Sequence, residues 1–314
     1  MRIIFAGTPQ NAALTLEALV AAGQNIVAVL TREDAPVGRK RVLTASPVAS
    51  VAQANGLPVI KANRITPEVN DLLSAFDSDL GIAVAYGAIF KSETLELPKQ
   101  GWLNIHYSLL PAWRGAAPVQ HSILSGDSDT GVSIFKLDEG MDTGPLLSVI
   151  PTQIEPGENA GELLGRLTHI GISGILEILP AVEAGIAKQT VQSRDGISIA
   201  TKLTRSDAQI NWQNKARAIE LQVRAMNPEP MAWAQHDDTA IRIVEASAIG
   251  AIQPAAIEFE STAQVGQVQI EGDRVFVLCG EQTALELKIV QPAGKNQMDA
   301  SAWARGLKKA AVLH

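Results

Sequence analysis

Asn104 and His106 stand two positions apart at the end of a short apolar run that opens with Gly101-Trp102-Leu103. In a strand, side chains two apart share a face, so an amide and an imidazole would lie side by side near the strand's C-terminal end. Pro111 stops regular pairing beyond them, and Gly115 lets the chain turn. Trp113 and Arg114 lie between those two residues. Such a segment suits a ligand-binding edge. The competing reading is a buried His and Asn satisfied by ordinary hydrogen bonds.

A second segment, Leu137-Asp138-Glu139-Gly140-Met141-Asp142-Thr143-Gly144-Pro145, is acidic, punctuated by glycine and set between two apolar runs. Asp142 could reach an imidazole on a neighbouring strand. Asn, His and Asp together suit acyl-group chemistry. An amide and a protonated imidazole stabilise an oxyanion, while a carboxylate orients the imidazole and takes protons. Taken alone, Asp142 between two glycines would be a turn residue.

A third feature is basic. Thr31 to Ala45 is a long connection for a chain of this kind and carries Arg32, Arg39, Lys40 and Arg41, with Pro36 and Gly38 to keep it irregular. It reads as a flexible arm for a phosphate backbone, or as a solvated surface loop. The chain as a whole is acidic, with net charge −7, so nucleic acid could be held only through local basic patches. Residues 1–200 hold 14 Lys+Arg against 20 Asp+Glu, and residues 201–314 hold 12 against 13. The second part is the less repulsive to a polyanion.

The elements that must position these residues follow from pattern. Arg2 to Ala6 reads as a buried strand, Leu14 to Val20 as a helix and Ile26 to Leu30 as a second strand, so the chain opens β-α-β and a parallel sheet is expected. Only Gly7 stands where a dinucleotide fingerprint would need three glycines. Ser46-Pro47 and Thr66-Pro67 both start helices, by N-cap and first-turn proline. Leu57 to Ile60 and Leu80 to Ala85 are further strands, and Tyr86-Gly87 opens a loop at a strand's C-terminal end. Thr130 to Lys136 and Leu146 to Ile150 are expected to pair across the Asp142 loop, and Ala160 to Glu183 is a long amphipathic helix. From about Ser206 the texture changes to one helix, Asn214 to Ala225, then short strands with polar turns, which suggests a small barrel. The expected division is a catalytic domain over 1–191, a linker over 192–205 and a barrel over 206–314.

Asn104-Ile105-His106, Ser108-Leu109-Leu110-Pro111, Trp113-Arg114-Gly115-Ala116-Ala117-Pro118 and Asp142-Thr143-Gly144 together resemble the formyltransferases that use 10-formyltetrahydrofolate. Phe5-Ala6-Gly7-Thr8-Pro9 and Gln291-Pro292-Ala293-Gly294-Lys295 resemble the branch of that family acting on charged initiator tRNA. The resemblance spans essentially the whole chain. It implies a Rossmann-like, mainly parallel α/β domain followed by an open barrel of the oligonucleotide-binding kind. It implies transfer of a formyl group to the α-amino group of methionyl-tRNA, with Asn104 and His106 at the oxyanion and Asp142 orienting His106 and relaying protons. It also implies folate contacts at Tyr86, Gly87, Ser108, Leu109, Leu110 and Pro111, and tRNA contacts at Arg39, Lys40 and Arg41. The terminal helix, Asp299 to Lys309, fits the same family. The chain departs from the family pattern at Ala112, usually basic, at Tyr107, usually small, and at Gln10-Asn11, usually Glu-Phe.

The alternatives are a formyltransferase or formyl-folate hydrolase with a small acceptor, a sugar nucleotide or water, and a non-catalytic RNA-binding protein. Cys279 is the single cysteine, which excludes an intrachain disulfide and is consistent with a cytoplasmic protein. No stretch approaches the roughly 20 apolar residues needed to span a bilayer. The five histidines show no metal-ligand spacing, so no metal is expected. A monomer is expected.

Overall fold

In the computed structural model, the described residues are 1–38, 40–237, 239–249, 259, 262–307 and 311–314. Contacts divide them into two units. The first comprises 1–118, 129–153 and 164–200; the second comprises 119–128, 154–163 and 201–314.

The first unit is built on a seven-stranded sheet. Its strands in chain order are β1 (Arg2–Gly7), β2 (Asn25–Thr31), β3 (Val59–Lys61), β4 (Leu80–Val84), β5 (Trp102–His106), β6 (Asp129–Lys136) and β7 (Leu146–Gln153). Across the sheet they run β3-β2-β1-β4-β5-β6-β7. The first five are parallel, β6 runs antiparallel to them, and β7 pairs antiparallel with β6. Ile3 to Ala6 and all of β4 are buried, as expected of central strands covered on both faces. Chain order reverses between β1 and β4, and open α/β sheets bind ligands at the C-terminal ends flanking such a reversal. Gly7 ends β1 there. A Cβ on it would stand 2.7 Å from the Ala12 side chain and 2.9 Å from the Val84 carbonyl.

Most expected elements are present, with ends moved by a few residues. Ser46 caps the helix Pro47–Ala54 by accepting from the Ala49 amide at 3.0 Å. Thr66 makes no such cap for Pro67–Ser74. The long helix is Ala160–Glu183. The connection expected to be irregular holds a short antiparallel hairpin, Ala35–Val37 with Val42–Thr44. The stretch 192–205, expected as a linker, is bonded into the fold. Arg114–Gly115 pairs with Ile199–Ala200, and the Trp113 amide donates to Ser198 Oγ at 2.8 Å. The expected boundary after residue 191 therefore falls inside the first unit, whose contacts continue to Ala200.

The second unit is a curled antiparallel sheet over its own core. Its strands lie in the order Trp233–His236, Thr239–Ile249, Ala284–Pro292, Arg274–Leu278 and Val268–Glu271, with Met298–Asp299 pairing on Ala284–Pro292. The helix Ala216–Met226 buries Ile219, Val223 and Met226 against Ile243, Val277 and Leu285. Residues 311–314 join the sheet's two edges, bridging His236 with Leu313 and Gln267 with Val312. The result is a small barrel. The terminal helix is shorter than expected, Ala300–Ala304, and Lys309 lies outside the described residues.

Candidate functional site

His106 is the last residue of β5, where its final ladder partner is Ser133. Asn104 precedes it by two on the same face, opposite Phe135, and is half-buried. The Phe135 ring meets the imidazole edge-on, centroids 6.3 Å apart. His106 itself is buried. Its Nε2 lies 2.8 Å from the Trp113 carbonyl oxygen, which can only accept, so Nε2 carries the hydrogen. Burial pushes the imidazole below the ordinary histidine range, against the partial opposition of the Asp142 charge and the Trp113 carbonyl. The ring is therefore neutral, and its Nδ1 is a bare lone pair. That lone pair faces Asp142 Oδ2 at 3.7 Å.

Asp142 is delivered by the loop between β6 and β7. Its backbone is held at φ +55°, a left-handed conformation costly for a non-glycine residue and often found at functional positions. Asp138 braces the loop from inside, accepting from the Gly140 amide at 3.1 Å and from Thr143 Oγ1 at 2.7 Å. The Asp142 carboxylate accepts from the Gly115 amide at 2.7 Å. Gly115 has φ +121°, and a Cβ on it would sit 2.6 Å from the Ala200 carbonyl oxygen. Only glycine lets the chain bring that N–H to the carboxylate while pairing with Ile199–Ala200.

Gln192 completes the enclosure. Its Nε2 donates to the carbonyls of Asp142 and Gly144, both at 2.8 Å. Its Oε1 accepts from Arg114 at 2.6 and 3.1 Å. Sequence reasoning missed Gln192, because it sits in a polar stretch without periodicity. Arg114 and Gly115 were inside the motif, but nothing in their spacing showed that a backbone amide would meet Asp142.

The other expected contact residues divide by what faces outward. Tyr86 turns its ring into the core and donates from its hydroxyl to the Ala62 carbonyl at 2.6 Å. Its own carbonyl accepts from Thr8 Oγ1 at 3.1 Å and Arg32 Nε at 3.2 Å, and Arg32 also donates to the Gly87 carbonyl. Ser108 is fully buried, its hydroxyl donating to Ala112 O at 2.6 Å and its carbonyl accepting from Ser133 Oγ at 2.7 Å. Its side chain is thus a brace for the turn. Leu110 is buried, and its amide donates to Ser133 Oγ at 3.0 Å. Leu109 and Pro111 are half-buried. Ile89, in the loop after β4, and Met141, beside Asp142, are exposed apolar side chains. Ser92, at the end of the first of these loops, donates to Glu139 of the second.

Lys40 and Arg41 are exposed in the turn of the hairpin, and Arg39 lies outside the described residues. The root of this connection is pinched by Thr31 Oγ1 and Ser46 Oγ at 2.6 Å, both buried. Among the described residues no group of three or more His, Cys, Asp or Glu could hold a metal, and no helix is long and apolar enough to cross a membrane.

The formyl transferase family model matches residues 1–179, and the model for the formyl transferase C-terminal domain matches residues 202–308. The methionyl-tRNA formyltransferase of Arthrobacter sp. (strain FB24) is 45% identical over 307 residues, covering 98% of this chain and 97% of its own. The protein of that name from Mycobacteroides abscessus is 42% identical over 316 residues, covering 100% and 99%. Among solved structures, the N-formyltransferase of Helicobacter canadensis, in complex with folinic acid and dTDP-3-aminofucose, superposes with TM-score 0.66 at 18% identity, over 91% of this chain and 98% of that one. HypX from Aquifex aeolicus, in complex with tetrahydrofolic acid, gives 0.63 at 16%, over 98% of this chain and 48% of that one. At such identities the structural likeness is one of fold.

Proposed function

The chain belongs to the formyl transferase family, and we propose that it moves the formyl group of 10-formyltetrahydrofolate to the α-amino group of methionyl-tRNA. The observation that carries this reading is the 45% identity, over 98% of the chain, to a methionyl-tRNA formyltransferase. The product would be N-formylmethionyl-tRNA for translation initiation, made in the cytoplasm by a monomer.

The site's geometry supports a division of labour. The deprotonated amine attacks the formyl carbon, forming a C–N bond and a tetrahedral oxyanion. The Asn104 amide hydrogen-bonds the oxyanion, worth about 3 kcal/mol for a well-placed donor. The amine's surplus proton passes to the edge formed by His106 Nδ1 and Asp142, because Nδ1 is the ring nitrogen without a hydrogen. Protonation there makes an imidazolium beside the carboxylate and adds positive charge near the oxyanion. Collapse expels the folate nitrogen, which takes that proton. His106 Nε2 stays on Trp113 throughout, so the ring acts by charge and proton transfer rather than by direct donation to the oxyanion.

Folate is a consumed cosubstrate. Backbone at Tyr86, Gly87 and 108–111 would border it, and the exposed Ile89 and Met141 suit a flat heterocycle. Arg39, Lys40 and Arg41 would engage tRNA phosphates, and the barrel would supply part of the docking surface. The test incubates the protein with labelled formyl-folate and charged initiator tRNA, free methionine or water. Label on the tRNA supports the proposal; label on free methionine or release as formate overturns it. A salt series separates the loop's role. Replacing all three cations with Ala should flatten the dependence of log affinity on log salt by just under one unit per lost phosphate contact. Parallel slopes would make the loop an ordinary surface connection.

A further inference from the structure

We propose that Tyr107 is a positioning residue for His106, acting through a buried hydrogen-bond relay that runs from Asn11 through its phenol to Thr168. The inference rests on the formyl-transfer reading of the site. Tyr107 follows His106 directly and lies just beyond the last ladder pair of β5. Strand pairing therefore stops at the peptide that joins the two residues. The phenol fixes the chain just beyond it. Asn11 Nδ2 donates to the Tyr107 hydroxyl at 3.1 Å. Thr168, beside the phenol, donates its own hydrogen to the Leu164 carbonyl at 2.6 Å, which leaves its oxygen to accept from Tyr107. In the proposed relay the hydrogens run from Asn11 to Tyr107 to Thr168 to Leu164.

All three side chains are buried, at 9%, 7% and 1% exposure. Burial raises the phenol above its ordinary range, so it remains a neutral hydroxyl able to donate and accept. The relay ties the end of β5 to two other elements. Asn11 lies in the first turn of the helix Gln10–Ala21, directly after the Gly7-Thr8-Pro9 loop. That loop is itself fixed to the next strand's exit by Thr8 on the Tyr86 carbonyl. Thr168 lies in the long helix, where Gly171 packs near the Tyr107 ring. A pivot of the chain at Tyr107 would shift the turn that follows and carry the Trp113 carbonyl away from the imidazole. The two departures Asn11 and Tyr107 are thus one pair in space, each the other's partner.

The test compares wild type with Tyr107→Phe, which keeps the ring and removes the relay. Wild-type turnover on methionyl-tRNA is measured first; its absence would refute the formyl-transfer reading and leave the relay's geometry untouched. Given that turnover, Tyr107→Phe should lower kcat about tenfold or more, the scale of a small misplacement of a catalytic group, with both KM values held within about twofold. The acid limb of the kcat profile should also move to higher pH, because a loosened imidazole regains water. An unchanged kcat, with only thermal stability lowered, would overturn the proposal. A lower kcat with an unmoved acid limb would overturn it too, since packing alone would then explain the loss. If Tyr107→Phe does not fold, Thr168→Val removes the receiving end while leaving the phenol; normal kcat and an unmoved limb in that variant would refute the relay.

Discussion

His106 Nδ1 and Asp142 Oδ2 stand 3.7 Å apart, too far for a hydrogen bond and near enough for strong Coulomb coupling. The gap follows from two anchors. Trp113 holds the far side of the imidazole, and the Gly115 amide holds the carboxylate. A neutral ring with a bare nitrogen beside an anion is prepared to receive a proton and poorly arranged to give one.

Replacing Asp142 with Asn tests that preparation. The side-chain oxygen can still accept from Gly115, so the fold should persist with little change in melting temperature. That oxygen is also the atom that faces the His106 lone pair, so Asn keeps the geometry and removes the negative charge that would stabilise a protonated ring. Turnover should fall about 10²-fold or more, the usual scale for removing a positioned proton-transfer group. Steady-state kinetics of purified protein decides this, and near-normal kcat would sink the assignment.

The same burial predicts how stability varies with pH. The folded-state pKa of His106 is lowered, so below the ordinary value near 6.5 the unfolded chain binds a proton that the native state refuses. This contribution is fully present above pH 6.5. It is lost as pH falls from there toward the folded value, by at most about 1.4 kcal/mol per pH unit. His106→Asn should flatten the stability curve over that window. Urea midpoints of both proteins between pH 7 and pH 5 would show it, and identical curves would mean that the ring is not buried neutral.

Much of this architecture was legible because it is written in periodicity. Buried parallel strands such as Ile3 to Ala6 are continuous apolar runs, and the long helix repeats its apolar face over 24 residues. Asn104, His106 and Asp142 were legible as residue types, and the structure brings His106 and Asp142 together. What supports them was not. Gln192 acts by an amide reaching back 50 residues to Asp142, and Gly115 acts through its backbone. Neither leaves a spacing signal. The hairpin at Ala35–Val37 was hidden by its proline and its exposure, since a strand without a buried face need not alternate.

Gln192 is therefore the sharpest check on the support around the site. Gln192→Ala removes both donations to the Asp142 loop and strands the Arg114 guanidinium. Stability should fall by about 1–3 kcal/mol, and kcat should fall with it. Gln192→Glu separates the two contacts. A carboxylate keeps Arg114 and cannot donate to the carbonyls of Asp142 and Gly144. If loop positioning matters, Glu should cost as much turnover as Ala while being the more stable of the two. A Glu variant with wild-type kcat would assign Gln192 to Arg114 alone.

Leu313 carries the last prediction. Among the described residues, the second unit's sheet ends at Trp233–His236 on one side and Val268–Glu271 on the other, and an exposed edge is an aggregation hazard. Residues 311–314 cover both. His314 and Gln235 exchange backbone hydrogen bonds at 2.6 and 2.8 Å, the Leu313 amide donates to Gly266 at 2.9 Å, and the Val268 amide donates to Ala311 at 2.9 Å. The anchor is the Leu313 side chain, 1% exposed among the barrel's core residues. Leu313→Ala should cost about 2–5 kcal/mol, the range for a buried leucine. If the segment closes the barrel, the loss should be local as well as global. Amides of Gln235, Val268 and Leu313 should exchange with deuterium much faster in the variant, while those of β1 and β4 in the first unit change little. Unchanged protection at Gln235 and Val268 would show that the edges hold without this closure.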